Sequence, residues 1–349
     1  MDNITIRFSG VTFDLNKLLV FLKKNKARES SKPDDVFLFT RKVGKHKAGW
    51  LFRLDIRNKN ILCSGGPTST FFGFNAWVSL KHSTQMATIV NILRKKLEQM
   101  DGVMLSEVVS PTVHRVEITH LYRFDSIDEI AQAEIALYSN LVVRYPKKVM
   151  MSGASMDVPG MIRVGLNKSL TTLRVYPEEL KLETNPAHVY SAEWKKLREE
   201  LKNCLRVECI FDSVQLKAAR LDKAEEWGCL DNLEKLVDDR MSEAGLRNTM
   251  PQSVEKLDAY LAGPKQSKVK DFMAGWKAGK SIDVNGTWSA VQVDAKAMGF
   301  DITMPYSHQR HLAHGLHGRF DTSQVVELSE TLRNDEVLFE RWWNKSLMA

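Results

Sequence analysis

Arg115-Val116-Glu117-Ile118-Thr119 places a carboxylate in the middle of an apolar, strand-like run, and Leu205-Arg206-Val207-Glu208 does the same later in the chain. Between them, Gly165-Leu166-Asn167-Lys168-Ser169 reads as a tight basic turn, and Leu173-Arg174-Val175-Tyr176 sets a tyrosine at the end of a strand. An acid in a central strand is costly to bury unless it is paired or binds metal. Two such acids on neighbouring strands can hold a divalent cation through hard oxygen ligands, Mg²⁺ or Mn²⁺ rather than zinc. A tyrosine beside that cation can attack a phosphodiester, with the metal stabilising charge on the transferring phosphoryl group. Its phenol ionises near pH ~10, so attack at neutral pH needs a base, a cation or both. Lys168 and Arg174 offer positive charge, and Ser169 offers a hydroxyl to a phosphate oxygen. Taken singly, each stretch reads more simply as a paired strand acid, a rim tyrosine or a polar hairpin turn.

The elements that must position these groups follow from periodicity. Strands are expected at 4–8, 36–40, 49–56, 60–64, 115–124, 161–166, 171–176 and 205–211, and helices at 14–22, 85–100, 127–143 and 192–202. Gly65-Gly66-Pro67-Thr68-Ser69-Thr70 reads as a loop ahead of an aromatic run, Phe71-Phe72-Gly73-Phe74-Asn75-Ala76-Trp77. From residue 216 the pattern turns helical, and 218–244 carries apolar residues at helical spacing with dense opposite charges. The expected fold class is α+β: a largely antiparallel sheet domain flanked by helices over 1–215, then a mostly helical domain over 216–349.

The order of these stretches resembles the rolling-circle replication initiators of filamentous phages, the gene II/X type, and their plasmid relatives. Their pattern is Arg-hydrophobic-acid, then Gly-x-x-Lys-Ser, then hydrophobic-Tyr, then Arg-hydrophobic-Glu. It stands here as Arg115-Val116-Glu117, Gly165 to Ser169, Val175-Tyr176 and Arg206-Val207-Glu208, and Gly73-Phe74-Asn75 is similar to the family's Gly-His-Asn element. The resemblance spans roughly residues 60–211. It implies metal-dependent nicking and joining of single-stranded DNA, with Tyr176 as the nucleophile that forms a 5′-phosphotyrosine link, assisted by Lys168. It also implies Glu117 and Glu208 as metal ligands, completed by Glu179 or Glu183, with Ser169, Arg174, Asn75 and Arg115 against DNA. This chain departs from the pattern at Phe74, where the family has His, and at Glu178, where a Lys is usual. Tyr190 and Tyr122 are the next tyrosines in line. The implied partners are a replication origin, single-stranded or hairpin, and the host helicase and replication machinery, in a bacterial cytoplasm.

Other features are compatible with this reading without requiring it. His114 and His120 fall on the opposite strand face from Glu117 if the strand is regular, and no His-apolar-His pair occurs. His308, His311, His314 and His317 recur every three residues, interrupted by Gly315 and Gly318, and read as a solvated or DNA-facing basic turn. The four cysteines form no CxxC pair and read as reduced thiols. The N-terminus alternates and lacks a signal-peptide layout, and no stretch is apolar enough for a bilayer span.

Net charge is +7; residues 216–349 hold 18 Lys and Arg against 20 Asp and Glu, leaving 32 against 23 in the first 215. A basic first region suits a polyanion, nucleic acid before membrane. No GxGxxG, Walker loop, G-x-S-x-G or HExxH supports a small-molecule enzyme. The rival expectation is a non-catalytic, sequence-specific DNA-binding regulator of replication or transcription on the same scaffold.

Overall fold

Alternation in the sequence becomes one large antiparallel sheet in the computed structural model. The structure describes residues 2–29, 35–43, 48–72, 82–106, 111–144, 149–152, 161–165, 172–179, 198–228, 230–244, 246, 254–264, 268–279, 288–298, 306 and 319–326. In chain order, the first half holds β1 (Asn3–Ser9), β2 (Thr12–Phe13), α1 (Leu15–Lys24), β3 (Arg28–Glu29), β4 (Val36–Val43), β5 (Ala48–Asp55) and β6 (Asn60–Gly65). Then come α2 (Pro67–Phe72), α3 (His82–Glu98), β7 (Val103–Met104), β8 (Thr112–Arg123) and α4 (Ile127–Arg144). Next are β9 (Val149–Ser152), β10 (Met161–Val164), β11 (Leu173–Pro177) and β12 (Cys204–Asp212). The helices that follow are α5 (Ser213–Ala218), α6 (Leu230–Glu243), α7 (Val254–Ala262), α8 (Lys268–Lys277) and α9 (Trp288–Ala297).

Among the described residues, ten strands run in the order β3-β4-β5-β6-β1-β8-β12-β11-β10-β9, and every neighbouring pair is antiparallel. Because side chains alternate across a strand, register divides the sheet into two unlike faces. One face is apolar. Ile4, Ile6, Val116, Ile118, Val207, Phe211, Leu173 and Val175 on it share a core with Leu18 and Phe21 of α1, Ile89 and Leu93 of α3, Ile130 and Leu137 of α4, and Val237 and Met241 of α6. The other face carries Thr5, Arg7, Arg115, Glu117, Arg206, Glu208, Arg174 and Tyr176, which register places together. The α+β class expected from sequence is what the structure has.

Helix ends follow local chemistry. Asp14 caps α1 and accepts from the Lys17 amide at 3.3 Å. Asp212 caps α5 in a capping box with Gln215. The stretch read as a loop at 65–70 is helical from Pro67, whose missing N–H costs nothing at a first helical position. Nor is 218–244 one helix: α5 stops at Ala218, Arg220 adopts φ 55°, and a 3₁₀ turn over Ala224–Gly228 precedes α6. Trp227 holds that break by donating Nε1–H to the Leu221 carbonyl at 2.9 Å. Leu216, Leu221, Trp227, Leu233 and Val237 pack in the same core as the sheet, whereas Leu257, Met273, Trp276, Val291 and Ala295 form a separate cluster. Among the described residues, no helix is long and apolar enough to cross a membrane.

Trp50 fixes the turn out of β6. Its Nε1–H donates to Thr70 Oγ1 at 2.8 Å, and that hydroxyl donates to the Gly66 carbonyl at 2.8 Å. A Cβ on Gly65 would lie 2.4 Å from Trp50 Cδ2. Gly65→Ala is therefore expected to lose about 1–3 kcal/mol by overpacking. Urea unfolding followed by circular dichroism checks this, and an unchanged midpoint contradicts it.

Candidate metal centre and buried tyrosine

The two strand acids meet because β8 and β12 are neighbours. Glu208 pairs with Thr119 and Ile210 with Glu117, so the two glutamates lie diagonally across adjacent strands on the polar face. Strand β11 on the far side of β12 sets Arg174 opposite Glu208 and Tyr176 opposite Arg206. Strand β1 on the near side of β8 brings in Asp2, whose backbone N–H donates to the Glu117 carbonyl at 2.9 Å. One carboxylate oxygen from each of Asp2, Glu117 and Glu208 lies within 4.8 Å of the other two, and all three residues are buried. This buried acidic triad could bind a metal ion, and an all-carboxylate donor set suits a hard divalent cation.

Three arginines hold the acids in place. Arg206, fully buried, contacts Asp2 Oδ2 at 2.7 Å, Glu178 Oε2 at 2.9 Å and Glu208 Oε1 at 2.8 Å, and donates to Thr119 Oγ1 at 3.3 Å. Arg174 Nη1 lies between the two strand acids, 3.1 Å from Glu208 Oε2 and 3.5 Å from Glu117 Oε2. Arg115 Nη2 meets Glu117 Oε1 at 3.0 Å. Burial alone would lower the pKa of Arg206, but Asp2 and Glu178 hold it well above the usual guanidinium value. Arg174 is raised likewise, with Glu117 and then Glu208 outweighing burial. Among these described groups, four carboxylates face three guanidiniums, so a divalent cation would turn a deficit of positive charge into an excess. The Arg174 and Arg115 side chains are 29% and 33% exposed, against 6% and 1% for Glu117 and Glu208, so the centre opens to solvent on the arginine side.

Tyr176 is 4% exposed, and its hydroxyl donates to Glu208 Oε1. The Arg206 guanidinium carbon stands 6.0 Å from its ring centroid. Burial pushes the phenol far above its ordinary value; Arg206 opposes this, and Glu208, Asp2 and Glu178 add to it. The phenol is thus neutral and hydrogen-bonded to the Glu208 carboxylate. Glu208 presents its two oxygens differently: Oε1 to Tyr176 and Arg206, Oε2 to Arg174 and the gap beside Glu117.

Of the residues singled out in the sequence, Glu117, Glu208, Tyr176, Arg174 and Arg115 converge here. Lys168, Ser169, Asn75, Glu183, Tyr190 and the His308–His317 run lie outside the described residues. Tyr122 is 1% exposed and packs on the core face, its ring centroid 5.0 Å from that of Phe320. His120 pairs with Val207 on that same face, as alternation requires. A register shift between Thr5 and Ile6 leaves His114 as an extra residue in β8. Sequence reasoning missed Asp2 and Glu178 and gave Arg206 no role. Asp2 directly precedes an alternating strand, and Glu178 is the position where the resembled family has Lys. No family model, no curated protein and no solved structure matches the chain.

Proposed function

We propose that the protein is a metal-dependent DNA strand transferase that nicks and rejoins single-stranded DNA through Tyr176, as a rolling-circle replication initiator does. The observation that carries this reading is the contact between the Tyr176 hydroxyl and Glu208, beside a carboxylate triad able to hold a cation. In the proposed step the Tyr176 oxygen bonds to phosphorus and passes its proton to Glu208 Oε1. The P–O3′ bond breaks, leaving a 5′-phosphotyrosine and a 3′ oxygen that takes a proton from solvent. Asp2, Glu117 and Glu208 would hold Mg²⁺ or Mn²⁺, which when bound supplies charge stabilisation at the phosphoryl oxygens. Arg174 and Arg115, on the exposed rim, orient the incoming phosphate by charge-assisted hydrogen bonds. The reverse reaction, attack of a 3′-hydroxyl on the phosphotyrosine, joins strands and returns the proton from Glu208 to the phenol.

Glu117→Gln is expected to keep its hydrogen bond to Arg115 while losing Mn²⁺-stimulated cleavage of labelled single-stranded DNA by on the order of 10²-fold. An unchanged Mn²⁺ dependence contradicts the ligand assignment.

One observation favours a second reading. Arg174 already fills the gap between Glu117 and Glu208, and Tyr176 is closely enclosed, so every acid of the cluster has a guanidinium partner and the network needs no catalytic role to explain it. A non-catalytic DNA-binding regulator on this scaffold would look the same. It predicts DNA binding with no covalent adduct under any divalent cation.

A further inference from the structure

The polar face of the sheet extends well beyond the tyrosine site. Register aligns one row of side chains across six strands: Arg28 on β3 pairs with Leu38 on β4, Leu38 with Arg53 on β5, Arg53 with Leu62 on β6, Leu62 with Arg7 on β1, and Arg7 with Thr112 on β8. Guanidiniums and leucines therefore alternate, with an arginine on every second strand, roughly 10 Å apart at the usual strand spacing. Arg28 and Arg53 are exposed, and Leu38, Leu62 and Arg7 are half-buried. The neighbouring row runs from Thr40 through Leu51, Ser64 and Thr5 to Arg115, and its Leu51 is 45% exposed.

Charge on this surface is mostly positive. Among the described strand residues of this face on β3, β4, β5, β6 and β1, the carboxylate is Asp55, which is held in the β5–β6 turn by the Asn58 amide at 2.9 Å and Asn58 Nδ2 at 2.9 Å. Arg7 Nε is buried without a hydrogen-bond partner, and Arg7, after burial itself, holds the His114 imidazole below its ordinary value. Arg28, Arg53 and Arg7 thus share one row with no described carboxylate between them. A surface of spaced cations favours a polyanion, because each phosphate neutralised releases a condensed counterion. Half-buried Leu38 and Leu62 between the cations, and exposed Leu51 beside them, offer apolar contact to unstacked bases, which a duplex keeps stacked.

We infer that this arginine–leucine row is a single-stranded nucleic-acid track, with phosphates on Arg28, Arg53 and Arg7 and bases against Leu38, Leu62 and Leu51, leading the strand to Arg115 at the rim of the tyrosine site. The inference extends the nicking reading and rests on it for the direction of the strand, but its binding claim is separately testable. From β3 to β8 the track crosses five strand spacings, roughly 24 Å, so it engages only a strand that continues past the cleavage point.

The test is fluorescence anisotropy of the full-length protein with labelled oligothymidylate of about 3 and about 30 nucleotides, the first too short to span the track. Arg28→Ala/Arg53→Ala, both at exposed positions, is expected to weaken binding of the longer strand by about 10-fold and to reduce the slope of log K against log salt by about 0.7 per lost contact. The shorter strand, held at the site alone, should lose much less. Circular dichroism of the double variant, expected to match the native protein, separates this result from misfolding. A further variant, Leu51→Ala, leaves the charge intact and should weaken the longer strand without moving the salt slope.

Unchanged affinity and slope in the double variant overturn the track, as does equally tight binding of a blunt duplex of the same length or no binding of either strand. Covalent attachment is read in the same samples. Weakened binding with no attachment by the native protein leaves the track standing and removes the nicking reading; attachment with an unaffected double variant does the reverse.

Discussion

Arg206→Met is expected to unfold at a markedly lower urea concentration than the native protein, with a loss of about 3–5 kcal/mol. The reason lies in what the guanidinium holds apart. Arg206 is fully buried and contacts Asp2, Glu178 and Glu208, which are 5%, 0% and 1% exposed. Methionine fills much of the same volume but returns no charge, so three carboxylates are left in a low-dielectric interior with reduced compensation. Repulsion as the cause has its own signature: adding Glu178→Gln to Arg206→Met should recover part of the loss, because the least exposed of the three acids is then neutral. A variant within about 1 kcal/mol of the native protein would contradict the account of Arg206 as the counter-charge of the cluster.

Tyr176→Phe is expected to abolish covalent attachment to labelled single-stranded DNA, by on the order of 10³-fold or more, while DNA affinity stays near native. The stability cost is expected to be small, about 1 kcal/mol, because Glu208 keeps its contacts to Arg206 and Arg174 when the hydroxyl is gone. The same variant has a pH signature. In the folded protein the phenol is held above its ordinary value, chiefly by burial, so the folded state keeps a proton that the unfolded chain gives up. Stability from this group is full below about pH 10 and declines as pH rises past it. Tyr176→Phe should therefore lose less stability than the native protein between neutral and strongly alkaline pH. The buried thiols of Cys63 and Cys204 are also raised by burial, so the comparison must be made between the two proteins rather than on either alone. Equal alkaline sensitivity would place the phenol in a solvated environment, and equal adduct yield would move the nucleophile elsewhere.

Much of this was legible in the residues themselves. Alternation marked β1, apolar strand-like runs marked β8 and β12, and Asp14 ahead of an amphipathic run marked α1. The acids of the site stood out because an ionised group inside an apolar strand demands a partner, and Tyr176 because it ends the strand that follows a basic turn. What stayed hidden is non-local. Nothing in the local pattern around Asp2 indicates that β1 will pair with β8, yet that pairing carries Asp2 to Glu117. Arg206 looked like a strand residue beside Glu208, and only the adjacency of β11, β12 and β8 makes it the hub of three ion pairs. Glu178, which departs from the resembled family's Lys, is one of those three. The errors in secondary structure were local. Small polar residues at 67–70 hid a helical turn that Pro67 starts, and the helical spacing after 218 masked a break set by the left-handed Arg220 and the Trp227 bond.

The most direct measurement incubates the native protein with a panel of labelled single-stranded oligonucleotides and Mn²⁺, separates the products on a denaturing gel, and maps any protein–DNA adduct by peptide mass spectrometry. The expected result is a Mn²⁺-dependent adduct on the peptide that contains Tyr176, with a free 3′-hydroxyl on the released strand. An adduct on another tyrosine, or none with any divalent cation while the oligonucleotides still bind, would contradict it.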